Sequence, residues 1–190
     1  MAERMRKKIV GHALRWVDSA RPGDTFTIWW LEPEGSVYPA KRHRLTMPTL
    51  AIPAYAAREK FATSAVTEVE GVFKRLPHNV SRTRILDSVA YIGGTSAGYW
   101  SLSIYSDLQE DSPGWDDRDV LGEDDATLLQ FMLAVCPAVR HPPTEVALIS
   151  WPGRPPGTLD AVSLHRRYRD LFAEFFSRWA PEATIRIESI

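Results

Sequence analysis

Cysteine is almost missing from this chain. Cys136 is the only one in 190 residues, which excludes an intramolecular disulfide, a CxxC redox pair and a Cys/His zinc array. A reducing compartment is expected. Long hydrophobic runs are missing too, since no stretch approaches the roughly 20 apolar residues that span a bilayer. Gly11, His12 and Arg15 interrupt the N-terminal stretch where a signal peptide needs an unbroken apolar segment. We therefore expect a cytoplasmic protein that makes no use of a membrane. Excess charge of either sign is absent overall, with 23 Lys+Arg against 24 Asp+Glu, which argues against direct nucleic-acid binding through a strongly basic surface. Internal repeats and low-complexity tracts are absent as well, which excludes solenoid and linker architectures.

What is present suits a folded domain. Hydrophobic residues make up 44% and charged residues 25% of the chain, and this length can bury one core without disulfide or metal staples. A single domain over residues 1–190 is expected. Residues 2–19 place Met5, Ile9, His12, Trp16 and Val17 near helical spacing. Residues 54–76 are rich in Ala, Glu and Lys and stop before Pro77, which marks a second helix. From about Leu159 to Trp179, one apolar stripe of Leu164, Tyr168, Leu171, Phe172, Phe175, Phe176 and Trp179 predicts a third helix, ended by Pro181.

Strands are predicted where β-branched and aromatic residues cluster. Residues 25–31 suit a central strand, and 99–105, 145–151 and 184–188 suit three more. Residues 128–135 are ambiguous and lean to strand because the run before Pro137 is short, and the apolar run 85–92 ends at Gly93-Gly94 like a strand entering a turn. Prolines 33, 39, 48 and 53 leave residues 32–53 as a long, partly extended connection. Strands and helices arrive in non-alternating order, so the expected fold is α+β, a mainly antiparallel sheet packed by N-terminal, central and C-terminal helices.

Two features bear on chemistry. Gly94-Thr95-Ser96-Ala97-Gly98 matches G-x-S-x-G, and it resembles the nucleophile elbow of patatin-like lipases and α/β-hydrolases, in which a strained strand-to-helix turn exposes the serine. Here a strand follows it, no glycine-rich oxyanion segment precedes it, and glycine's backbone freedom alone accounts for a turn joining two strands. A serine hydrolase using Ser96 is thus an alternative, with no catalytic residue assigned. The histidines, His12, His43, His78, His141 and His165, include no pair at the i, i+4 spacing of a helical metal site. No metal or cofactor is expected, and Cys136 reads as a small buried hydrophobe.

The second feature is a charge block. Asp107, Glu110, Asp111, Asp116, Asp117, Asp119, Glu123, Asp124 and Asp125 put nine acids in 19 residues against Arg118 alone, leaving 15 acids and 22 bases elsewhere. Ionised carboxylates are costly to bury unpaired, so the segment is expected to be a solvated loop. The acids lack the D-x-D-x-D-G order of a calcium loop. Trp115, set between Gly114 and Asp116, gives this loop the composition of an interface hot spot.

From Gly98 onward the order of features resembles immunity protein family 52. These features are Gly98-Tyr99-Trp100-Ser101-Leu102-Ser103-Ile104-Tyr105, the apolar run ending in Val135-Cys136, Glu145-Val146-Ala147-Leu148-Ile149-Ser150-Trp151-Pro152, and a final helix leading into Trp179-Ala180-Pro181. The resemblance implies a small cytoplasmic antidote that inhibits a bacterial polymorphic toxin, often a nuclease, by covering its active site or substrate channel. The charge pattern agrees, because an acidic loop bearing one aromatic anchor suits a basic counterpart. The expected partner is therefore a cognate protein toxin with a basic surface, bound through the nine acids and Trp115. A phage or secretion-system adaptor, assembling through Trp29, Trp30 and Trp100, is a further alternative, and homo-oligomers are compatible with either.

Overall fold

A computed structural model describes residues 2–30, 41–46, 54–75, 84–110, 115, 117–152 and 160–189. Where one core was expected from chain length, contacts divide the chain into two compact units, Met1–Val80 and Ser81–Ile190, each with its own hydrophobic cluster.

The first unit holds α1 (Ala2–Ser19), β1 (Thr25–Trp30), β2 (Lys41–Thr46) and α2 (Ala54–Arg75). Both helices fall where periodicity places them. Gly23, at φ 91°, makes the turn from α1 into β1, a conformation that disfavours any side chain. Strands β1 and β2 pair antiparallel, from Thr25 opposite Thr46 to Trp30 opposite Lys41. β2 lies inside the stretch expected to be a connection, and the rest of that stretch, 32–40 and 47–53, lies outside the described residues. Among the described residues β1 has one neighbour and is not a central strand.

Small side chains let α1 and α2 approach: Ala13 and Ala65 are fully buried beside Val17, Phe61 and Val69. The Trp16 ring lies 5.2 Å from Phe26 and 5.5 Å from Phe61, so one indole joins α1, β1 and α2. The Arg58 guanidinium donates to the carbonyls of Asp18 and Ala20, satisfying acceptors that the end of α1 leaves open.

The second unit runs α3 (Ile85–Thr95), β3 (Ser101–Ser106), α4 (Asp117–Gly122), α5 (Asp125–Val135), β4 (Glu145–Ser150), α6 (Ala161–Trp179) and β5 (Thr184–Ser189). Its sheet has the order β3-β4-β5, and both pairings are parallel. This corrects the expected mainly antiparallel sheet. Residues 85–92 and 128–135, read above as strands, are the helices α3 and α5. Helices therefore stand between β3 and β4 and between β4 and β5, and such crossovers return each strand in the same direction. The α+β character holds, with six helices among the described residues.

β4 sits between two strands and is buried from Val146 to Ser150, which is why Val146-Ala147-Leu148-Ile149 is a continuous apolar run. The helices α5 and α6 each begin with a side-chain N-cap. Asp124 accepts from the Thr127 amide at 3.0 Å to begin α5, and Asp160 accepts from Val162 and Ser163 to begin α6. The predicted stripe of α6 is buried in full, and Phe172, Phe175, Phe176 and Trp179 form a connected set of ring contacts. Gly93 lets α3 approach this core: a β-carbon there would lie 2.7 Å from Val139 Cγ1 and 3.0 Å from the Trp179 ring.

Candidate functional site

The acid-rich segment leaves the carboxyl end of β3, and its described residues include several that are folded into the protein. Asp107 Oδ1 accepts from the Gln109 amide, and Ser106 Oγ accepts from the Leu108 amide. Leu108 itself is fully buried at φ 64°, a left-handed conformation that costs a branched residue free energy. Glu110 is only 4% exposed, and its carboxylate accepts from the Leu86 amide at 2.9 Å. That amide belongs to the first turn of α3, where helix N–H groups lack internal partners. Glu110 is thus a cap delivered from a distant part of the chain.

Trp115 corrects the expectation of an exposed aromatic anchor. It is 8% exposed, its Nε1–H donates to Tyr168 Oη at 2.8 Å, and its ring stacks on Tyr168 and packs against Phe131. At position 115 the chain is therefore not free in solvent: the indole pins it to α6. Asp111 and Asp116 lie outside the described residues, while Asp117 and Asp119 belong to the backbone of α4.

Glu123, Asp124 and Asp125 are exposed at the junction of α4 and α5, beside the exposed apolar Leu121. The Thr127 hydroxyl, and after it the Thr127 amide, hold the Asp124 carboxyl below its ordinary range. Arg167 on α6 ties this corner down, its Nη2 donating to the Glu123 carbonyl at 2.8 Å and meeting Asp125 Oδ1 at 2.7 Å. Beneath lies a shallow pocket lined by Asp125, Leu129, Arg167, Asp170, Leu171 and Glu174. Asp170 pairs with Arg169 and Glu174 with Arg178. Of the ten residues singled out for partner binding, Glu110 and Trp115 are interior, Asp107 organises a turn, Glu123, Asp124 and Asp125 form the exposed acidic corner, and the side chains of Asp111, Asp116, Asp117 and Asp119 lie outside the described ones.

Charge is segregated between the units. Ser81–Ile190 has 16 acidic and 10 basic residues, whereas Met1–Val80 has 13 basic and 8 acidic. The near-neutral total conceals this difference.

Ser96 does not have elbow geometry. It follows the last turn of α3 with extended backbone (φ −84°, ψ 145°), and its amide donates to the Ile92 carbonyl. The motif joins a helix to a strand, the reverse of a strand-to-helix elbow, and corrects the expected turn between two strands. Gly94 lies within the helix, and Gly98, at φ 71°, makes the turn. Cys136 is fully buried, and burial pushes its thiol up to about 12. Among the described residues no group of three or more His, Cys, Asp or Glu side chains is placed to hold a metal ion, and no helix is long and apolar enough to cross a membrane. His43 and His78 fall where no side chain is described.

Sequence reasoning missed two features. Tyr99, assigned to a strand, stands 97% exposed just before β3. At the opposite end of the sheet, Ser106, Ser150 and Ser189 share one register row. Ser150 Oγ and His165 Nε2 are buried there or in α6 with no hydrogen-bond partner among the described residues. Neither has a short motif that would have announced it.

No protein-family model, curated protein or solved structure matches the chain significantly.

Proposed function

We propose that this protein is an immunity-type inhibitor, which acts in the cytoplasm by binding a cognate protein toxin and covering a basic surface such as a nuclease presents to phosphates. The observation that carries this reading is the acidic excess of Ser81–Ile190, displayed at the corner of Glu123, Asp124 and Asp125. Like-signed carboxylates on a folded corner raise the association rate with a cationic partner and orient its approach. Arg167 and the Asp124 cap hold the corner in one shape, which lowers the ordering cost of binding. The resemblance from Gly98 onward supports the same reading. Trp115 has no direct part in it, because its indole is buried against Tyr168 of α6.

The test takes a candidate toxin domain from the genes that neighbour this one and expresses it in a host that it kills. Co-expression with the wild-type protein should restore growth. In calorimetry, affinity should fall roughly tenfold or more between low and moderately high salt, as exposed charges are screened. Glu123→Lys together with Asp125→Lys should weaken binding while the circular dichroism spectrum is kept. Unchanged affinity in that variant removes the corner from the interface, and failure to rescue growth removes the function.

A further inference from the structure

The sheet of the second unit is open at β5. This strand pairs with β4 along one edge, and among the described residues nothing pairs with its other edge. It is six residues long, carries no proline and alternates Thr184-Ile185-Arg186-Ile187-Glu188-Ser189. An open edge is a template for another strand, and natural sheets blunt one with proline, bulges, shortness or charged side chains; β5 has charges of both signs, Arg186 and Glu188, which repel a copy in some registers and attract it in another. Ile185 packs against the core, but Ile187, on the same face two residues on, is 44% exposed.

We infer that β5 is the dimerisation edge of this protein, where two copies pair antiparallel about a two-fold axis and join two three-stranded sheets into one of six strands. The strand's own sequence selects the register. Directly opposed residues in an antiparallel pair share a face, so a two-fold axis normal to the sheet passes through a single residue position. With the axis at Arg186, arginine faces arginine. With it at Glu188, glutamate faces glutamate. With it at Ile187, the exposed isoleucines face each other and Arg186 of each copy faces Glu188 of the other. Only this last register combines long overlap, apolar contact and opposite charges. Arg186 already meets Glu145 of β4 in its own sheet, so the new pair extends a charge ladder across the junction.

A junction of two short strands is small by the standard of obligate dimers, so the dimer should form reversibly as concentration rises. Sedimentation equilibrium of the full chain, from about 1 to about 500 μM, spans the range in which a weak interface fills. It should show a shift from 21.5 kDa towards twice that mass. Arg186→Glu alone puts glutamate against glutamate and should stay monomeric. Glu188→Arg alone puts arginine against arginine and should do the same. Mixing the two variants restores both opposite-charge pairs and should restore the dimer, a result that a general loss of folding cannot imitate. Ile187→Lys should abolish association with the circular dichroism spectrum unchanged. A wild-type chain that is monomeric throughout overturns the inference, as does a dimer that all three variants keep. Toxin binding in the monomeric variants separates this inference from the proposed function, because the acidic corner lies elsewhere.

Discussion

The indole N–H of Trp115 donates to the Tyr168 hydroxyl at 2.8 Å, inside a core where both rings are buried and stacked. This contact fixes position 115 of the acid-rich run against α6. Trp115→Phe removes the donor and part of the ring and should cost about 1–2 kcal/mol. Trp115→Ala should cost about 3–5 kcal/mol, as for other buried large aromatics. Urea unfolding followed by far-UV circular dichroism measures both. An exposed, partner-facing indole would instead leave stability unchanged and reduce binding alone.

The adjacent glycines of α3 should respond oppositely to one extra carbon. Gly93→Ala drives a methyl group into Val139 and the Trp179 ring and should destabilise by about 1–3 kcal/mol. Gly94 has nothing within 4 Å of the added carbon, so Gly94→Ala gains helix propensity and should stabilise by about 0.5–1 kcal/mol. Thermal melts of the two variants decide this. A hydrolase elbow would require Gly94 for its tight turn, so a stable, fully folded Gly94→Ala variant also argues against that use of Ser96. A fluorophosphonate probe should leave Ser96 unlabelled.

Cys136 should be inert in the native state. Its thiol is pushed up to about 12 by burial first and by Asp87 and Glu110 after that, so almost no thiolate exists at pH 8. Alkylation by iodoacetamide should track global unfolding and accelerate sharply in urea. Because the folded value lies above the ordinary 9.0, this group's contribution to stability is complete below pH 9 and is lost as pH rises from there towards 12. Rapid labelling in native buffer would contradict the packing.

His165 gives a dependence at the other end of the scale. Burial, and then the Arg169 cation, push its imidazole below the ordinary 6.5. A lowered value means that the unfolded chain takes up the proton first, so the stability is present above pH 6.5 and declines as pH falls below it. The urea midpoint should drop between pH 7.5 and pH 5, and His165→Gln should flatten that drop. An equal slope in the variant would assign the loss to other groups.

Local pattern made several elements legible before any coordinates. The stripe from Leu164 to Trp179 could bury only one face, and Pro181 had to end it. Residues 128–135 were harder, since Leu128, Leu129 and Met132 fit a short strand as well as a helix face. What decided for helix was Asp124, an N-cap concealed inside a run of acids that drew notice only as charge. Reading 128–135 as a strand hid the crossover between β3 and β4, whereas the helix between β4 and β5 was legible and already allowed a parallel pair. The site was legible in charge and illegible in placement. Nothing near Trp115 in sequence shows that Tyr168, 53 positions on, supplies its hydroxyl, and Glu110 finds the Leu86 amide only through the tertiary fold.

The order in which the parallel strands are joined has a consequence during synthesis. Ser101 and Glu145, adjacent in the sheet, are separated by two helices, and Glu145 waits for a third helix before Thr184 reaches it. A nascent chain emerging from the ribosome therefore carries the apolar run Val146–Ile149 with one side uncovered until Thr184–Ser189 have been made. Such late closure exposes a sticky segment to wrong partners, so yield in the cell should depend on chaperone supply more than the stability of the finished molecule would suggest.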